Sequence, residues 1–73
     1  MGIKATRNQI NYLIESIMWF SIEELKQLPL PSELIRYRQG DLSKKEIEKI
    51  ISEYPIQKAH NIICVINNHI KRG

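Results

Sequence analysis

The sequence contains one cysteine, Cys64, so the chain cannot form an internal disulfide bond. Disulfide bonds within the chain therefore do not stabilise the fold of these 73 residues. Cys64 stands in the apolar run of residues 62–66, where a lone cysteine usually packs as a small hydrophobe. We therefore expect a buried, unreactive thiol. A free thiol without a signal peptide also predicts a cytoplasmic protein.

Glycine and proline are scarce, at three residues each, and no apolar run approaches the about 18 residues of a membrane-spanning helix. The 42% hydrophobic fraction, rich in isoleucine, is enough for a core and excludes a disordered composition. The excess of positive charge is also small, at +3 with a pI of about 9.2. It permits an acidic partner such as a nucleic acid without requiring one, and we expect no membrane partner.

Three segments carry the capping-box signature of a helix start, in which a hydroxyl residue is followed three positions later by Gln or Glu. They begin at Thr6, Ser21 and Ser43. The first predicted helix runs from about Arg7 to about Phe20, because its apolar residues recur with the helical period. Prolines 29 and 31 stop the second helix, which is short.

A third short helix is predicted from Pro31 to Gly40, whose freedom at positive φ suits a helix end. A fourth runs from Ser43 to Pro55. The segment 56–71 fits a β-prone strand or an amphipathic helix, and we favour the helix because a lone strand would have no partner. The sequence thus predicts an all-α bundle of four to five short helices, with residues 1–73 as a single helical domain.

The sequence offers no set of residues for catalysis. The two histidines are nine residues apart, which places them on different faces of one helix, and no cysteine or carboxylate cluster supports a zinc site. A Gly-rich phosphate loop and a Ser-His-Asp set are both lacking. We expect a non-enzymatic protein with no catalytic residue, no metal and no cofactor.

The segment 36–45 concentrates cations around a glycine turn and a helix start, an arrangement that suits phosphates. The predicted nucleic-acid-binding residues are Arg36, Arg38, Ser43, Lys44, Lys45 and Lys49. The competing interpretation is an ordinary solvated face, in which Lys44 pairs with Glu48 and Lys49 pairs with Glu53.

Tyr12 and Trp19 are seven residues apart and share one stripe of the first helix, opposite its apolar stripe. With Glu15 beside them and Glu23 and Glu24 as a rim, they could anchor a partner protein or the seam of a homodimer. The alternative is that this helix is central and buried on both sides. We favour this burial of the two aromatic residues, because exposed paired aromatics are unusual in monomers.

Two motifs carry a family resemblance: A-T-x-x-Q-I-x-Y-L at residues 5–13 and L-S-K-x-E-I-x-x-I-I at residues 42–51. Together they resemble a small helical module of phage-type and DNA-metabolism proteins, with the pattern A-T-x-K-Q followed by L-[ST]-x-x-E. The second motif also resembles a helix–extended-loop–helix, SAP-like element, which implies DNA binding. Asn8 departs from the pattern, which has a lysine there, and the Pro29–Pro31 break is not part of it.

The sequence therefore predicts a small nucleic-acid-binding module, with DNA as the expected ligand. The alternative is a protein-binding regulator or inhibitor, of the kind that mobile elements encode, which acts through Tyr12, Trp19 and Glu15.

Overall fold

The computed structural model describes residues 2–72, which form five α-helices joined by short turns. The helices are α1 (Arg7–Ile17), α2 (Ile22–Lys26), α3 (Ser32–Gln39), α4 (Lys44–Ser52) and α5 (Ile56–Arg72). The all-α prediction is confirmed, and the segment that fitted either a strand or a helix is helical. Among residues 2–72, no helix has both the length and the apolar character that crossing a bilayer requires.

All three capping boxes predicted from the sequence are formed. At the start of α1, Thr6 Oγ1 accepts from the Gln9 amide at 3.1 Å, and the Gln9 side chain accepts from the Thr6 amide at 3.0 Å. The same reciprocal bonds open the other two helices, between Ser21 and Glu24 in α2 and between Ser43 and Glu46 in α4. Each box satisfies two amides that would otherwise lack a partner, so the three helices begin at defined residues.

The end of α1 lies at Ile17, three residues before the predicted end near Phe20. The amides of Met18, Trp19 and Phe20 each donate to the carbonyl three residues earlier. Such turns advance the chain by about 120° per residue instead of the 100° of an α-helix. The shift leaves Phe20 buried in the core and Trp19 on the surface.

The turn after α3 depends on a glycine, as predicted. Gly40 has φ 93°, in the left-handed region that residues with a Cβ rarely adopt. In this conformation the Gly40 amide donates to the Tyr37 carbonyl at 3.1 Å, and the Asp41 amide donates to the Arg36 carbonyl at 2.9 Å. These bonds close the last turn of α3 and direct the chain toward α4.

Helix α1 packs against α4 on one side, and the two run antiparallel. Arg7, at the start of α1, pairs with Glu48 in the later part of α4. Lys44, at the start of α4, lines a shallow groove with Glu15, near the end of α1.

On its other side α1 packs against α5, and these two helices run parallel. Gln9 of α1 lies beside Ile56 at the start of α5, and the Phe20 ring lies 5.4 Å from the His69 ring near the end of α5. The core beneath α1 is formed by Ile10, Leu13, Ile14, Ile17, Phe20, Leu25, Leu34, Ile47, Ile51, Tyr54, Ala59, Ile62 and Ile66.

Residues 3–5 pair with residues 54–56 in a short antiparallel bridge that the sequence did not predict. The Ala5 amide donates to the Tyr54 carbonyl at 2.9 Å, and the Ile56 amide donates to the Ile3 carbonyl at 2.7 Å. The bridge fastens the chain entering α1 to the turn between α4 and α5.

Candidate functional site

The described part of the chain brings no metal-binding set of side chains together. Within residues 2–72, no group of three or more His, Cys, Asp or Glu side chains could hold a metal ion. The two histidines have separate neighbours: His60 Nε2 lies 3.5 Å from Cys64 Sγ, and His69 Nε2 lies 3.3 Å from Glu24 Oε2. The candidate sites are the surfaces that the sequence predicted to bind a partner.

Cys64 is exposed, so the prediction of a buried thiol is wrong. The buried residues of α5 are Ala59, Ile62 and Ile66, and the helical period turns position 64 away from the side they share. The apolar composition of residues 62–66 predicted that Cys64 is buried. The helical period, and not the composition, decides which of these residues reach the core.

The predicted nucleic-acid-binding residues divide into two groups. In the first group Arg38 and Ser43 are engaged within the fold, while Arg36 is exposed on α3. Arg38 is half-buried, and its Nε donates to the Phe20 carbonyl at 3.0 Å. The Ser43 hydroxyl accepts from the Glu46 amide in the capping box. The pKa of Glu46 is lowered, chiefly by the hydrogen bond from the Ser43 amide and, to a smaller extent, by the nearby charge of Arg36.

The second group consists of the three lysines of α4, and these are exposed. Among residues 2–72, no carboxylate oxygen lies within 4.0 Å of Nζ of Lys44, Lys45 or Lys49. The i,i+4 pairs of the competing interpretation are therefore not formed. The glutamates that would have made them pair with the N-terminal segment instead: Arg7 lies 3.3 Å from Glu48, and Lys4 lies 3.7 Å from Glu53.

The position of Lys44 and Lys45 adds a further observation. Both lie in the first turn of α4, where the amide groups carry a partial positive charge. Cations in this turn do not gain from the helix dipole and add to the positive potential of the surface. This arrangement favours an anionic ligand over a purely stabilising role for the two side chains.

Trp19 is 57% exposed, so the preference for burial of the aromatic pair is wrong for this residue. Its ring meets the Tyr12 ring edge-on, with the centroids 6.0 Å apart. Tyr12 is half-buried, and its hydroxyl donates to Asn67 Oδ1 of α5. The neighbouring Met18 is also exposed, at 52%. The Trp19 ring is thus exposed to solvent while one of its contacts, with Tyr12, ties it to the fold.

The structure brings Lys44 and the aromatic pair to the two edges of α1. Helix α1 lies between α4 and α5, and its outer side faces away from the core. Glu15 borders Lys44 at the α4 edge of this outer side, and Tyr12 meets Asn67 at the α5 edge. We use the name lysine–tryptophan face for Glu15, Tyr12 and Trp19 of the α1 segment together with Lys44 and the exposed lysines that share its helix, Lys45 and Lys49.

Of the glutamates predicted to surround the aromatic pair, only some are free to contact a partner protein. Glu15 and Glu23 are exposed. Glu24 accepts from the Ser21 amide in the capping box of α2 and also contacts His69 of α5. Its pKa is lowered, first by the bond from Ser21 and then by His69. Glu24 thus serves the packing of α2 on α5.

A second polar cluster, which the sequence did not predict, lies around Tyr54. Its hydroxyl donates to Glu33 Oε2 at 2.7 Å, and Lys58 Nζ lies 4.2 Å from the centre of its ring. The bond from Tyr54 is the main cause of the lowered pKa of Glu33. Burial, and then the bond to Glu33, raises the pKa of Tyr54. Each member of this cluster has its partner inside the protein.

No protein-family model, curated protein or solved structure matches the chain. The resemblance to a DNA-metabolism module therefore stays a prediction. The functional argument depends on the chemistry of the lysine–tryptophan face.

Proposed function

We propose that this protein is a small nucleic-acid-binding module that contacts the phosphate backbone through Lys44, Lys45 and Lys49. The observation that carries the proposal is the lack of a carboxylate partner for these three exposed lysines among residues 2–72. The acidic residues of the same helix are engaged elsewhere, so they do not neutralise the lysines directly.

The chemistry of these side chains favours contacts to the backbone over recognition of base edges. A lysine ammonium is a compact charge on a flexible stem, and it neutralises a phosphate without fixing a register. Bidentate reading of guanine needs an arginine fork. Of the two predicted arginines, Arg38 is held by the Phe20 carbonyl, and Arg36 is exposed on α3, where its charge helps to lower the pKa of Glu46.

The test is a salt titration of binding to labelled DNA, followed by fluorescence anisotropy. If three phosphates are neutralised, the slope of log K against log salt will be about −2 to −3, because each phosphate contributes about −0.7 to −0.9. Between about 50 and 200 mM salt, affinity should fall steeply. Absence of binding at the lowest salt concentration would exclude the proposal.

A pair of charge-matched variants separates this surface from a general effect of net charge. In the first variant Lys44, Lys45 and Lys49 are replaced by glutamine, and in the control Lys26, Lys58 and Arg72 are replaced by glutamine. Both lose three positive charges. We expect the first variant to lose both affinity and salt slope, and the control to keep most of each. Equal losses in the two variants would show that the α4 lysines form no specific site.

The alternative from the sequence, a protein-binding regulator anchored on Tyr12, Trp19 and Glu15, is favoured by the exposure of Trp19 and Met18. Aromatic and methionine side chains are typical anchors of protein interfaces. The two proposals differ measurably, because a protein anchor predicts no salt-dependent affinity for nucleic acid.

A further inference from the structure

Trp19 is the sole tryptophan of the chain, and the structure holds it in place rather than leaving it loose. Its ring packs edge-on against Tyr12, whose own hydroxyl is bound by Asn67 of α5. The ring therefore reaches the surface packed against a residue that α5 holds in place. An aromatic group that is already ordered loses little conformational entropy when a ligand binds.

Cations lie on both helices that flank α1. Lys44 borders α1 from α4, and Lys71 follows Asn67 by four residues, so it lies on the same side of α5. Both lysines are exposed. Helix α1 lies between the two helices that carry them. An aromatic surface between two positive charges is complementary to a chain that carries both flat bases and phosphates.

We propose that the ligand is a single-stranded nucleic acid, with one base stacked on Trp19 while the lysines neutralise neighbouring phosphates. This inference rests on the proposed function and specifies its substrate class. The bases of a duplex are already stacked on each other and offer no free face, whereas those of a single strand do. A stacked base needs no hydrogen-bond pattern, so the preference for sequence is weak.

Glu15 is a negative charge on the same face, next to Lys44. It repels phosphate and weakens the binding that the lysines provide. The Glu15→Gln variant should therefore bind more tightly than the wild type, most clearly at low salt, where charges are least screened. A base stacked on Trp19 should be unaffected by this change.

The experiment uses the emission of Trp19 as the reporter. Oligo-dT and oligo-U of about 12 nucleotides, within the usual site size for one small domain, are titrated beside a DNA hairpin with the same number of phosphates. We expect the single strands to quench the emission and the hairpin to leave it nearly unchanged. The dT and U arms differ in the 5-methyl group of the base as well as in the sugar, so an oligo-dU arm is added. Comparing dU with U shows whether the 2′-hydroxyl matters.

Variants then separate stacking from charge. With labelled oligonucleotides, Trp19→Ala should lower single-strand affinity about tenfold to hundredfold, as expected for one stacked base, and keep the salt slope. Trp19→Phe should restore most of the loss, because a phenyl ring still stacks. Far-UV circular dichroism confirms that each variant is folded.

The outcomes distinguish this inference from the proposed function. Salt-dependent binding to the hairpin and single strands alike, unchanged in Trp19→Ala, would overturn the single-strand inference and leave the phosphate-binding proposal standing. Absence of all binding would overturn both. A blue shift of Trp19 emission with rising protein concentration alone would show that a second copy of the chain covers the ring, which also contradicts the inference.

Discussion

Two aromatic residues, Tyr54 and Trp19, lie in different parts of the bundle and differ in their exposure and in their contacts with the rest of the fold. Tyr54 is 5% exposed, bonds Glu33 through its hydroxyl and accepts the Ala5 amide at its carbonyl. Trp19 is 57% exposed and touches the fold mainly through Tyr12. In a chain this short, which buries only about 60% of its unfolded surface, few large side chains can be left out of the core.

The charged groups on the two sides differ in the same way. Near Tyr54, the carboxylate of Glu33 accepts from the Tyr54 hydroxyl, and the ammonium of Lys58 lies over the Tyr54 ring rather than beside a carboxylate. On the lysine–tryptophan face, the α4 lysines have no carboxylate partner within residues 2–72. We infer that the first side holds the fold together and that the second is available to a ligand.

The largest expected effect tests this division directly, by truncating each aromatic residue. Tyr54→Ala should lower the free energy of unfolding by about 3–5 kcal/mol, because it leaves a cavity in a core that cannot close around it. Trp19→Ala should change the same quantity by less than about 1 kcal/mol, since an exposed side chain loses little on truncation. Urea unfolding followed by far-UV circular dichroism measures both variants.

The contrast between the two variants is more informative than either value. Similar destabilisation by both would show that Trp19 belongs to the core. The inference that the side of Tyr54 stabilises the fold while the lysine–tryptophan face is available to a ligand would then be wrong. If Tyr54→Ala does not fold, the comparison is repeated with Tyr54→Leu, which refills part of the cavity.

A smaller effect is expected within a single turn, at the start of α4. Ser43→Ala removes the hydroxyl that accepts the Glu46 amide, and it should cost about 1 kcal/mol of stability. Lys44→Gln, one residue later, should leave stability unchanged or slightly higher, because it removes a positive charge from the helix N-terminus. The midpoints of thermal unfolding rank the two variants.

Binding should rank the same two variants in the opposite order. Ser43→Ala keeps all the lysines and should bind oligo-dT nearly as the wild type does, under conditions where it is folded. Lys44→Gln should bind more weakly. A loss of affinity in Ser43→Ala alone would mean that the hydroxyl, and not the lysine, contacts phosphate.

Much of the fold could be predicted because its signals are local. A capping box needs only residues three apart, and all three predicted boxes are formed. The positive φ at Gly40 depends on one residue and its immediate neighbours. The apolar period of residues 56–71 outweighed the β propensity of its isoleucines, because a helix buries one side of that segment against α1.

The remaining features depend on contacts between distant segments, which no local pattern contains. The bond from Tyr54 to Glu33 spans 21 residues, and the bond from Arg38 to the Phe20 carbonyl spans 18. The pairing of Arg7 with Glu48 spans 41 residues and removed the partner that the sequence assigned to Lys44. Trp19 was misplaced because the burial argument relied on the rarity of exposed aromatic pairs, whereas α4 and α5 pack along the two sides of α1 and leave Trp19 exposed opposite the apolar stripe.

The smallest expected effect is a dependence of the free energy of unfolding on pH, which arises from the bond between Tyr54 and Glu33. The bond from Tyr54 lowers the pKa of Glu33 in the folded protein below its ordinary value of 4.5. A lowered folded pKa contributes stability above the unfolded value, and that stability is lost as the pH falls through the folded pKa. Tyr54→Phe removes the hydroxyl and should cost about 1 kcal/mol at neutral pH.

Comparing the wild type with Tyr54→Phe isolates this contribution. Glu24 and Glu46 also have lowered pKa values, but the substitution does not touch them, so their effects cancel in the difference. The difference in unfolding free energy should be constant above the unfolded pKa of Glu33 and should shrink in acid. Urea unfolding of both proteins over a series of acidic buffers measures it. A difference that stays constant into acid would mean that the Tyr54 hydroxyl does not stabilise the ionised form of Glu33.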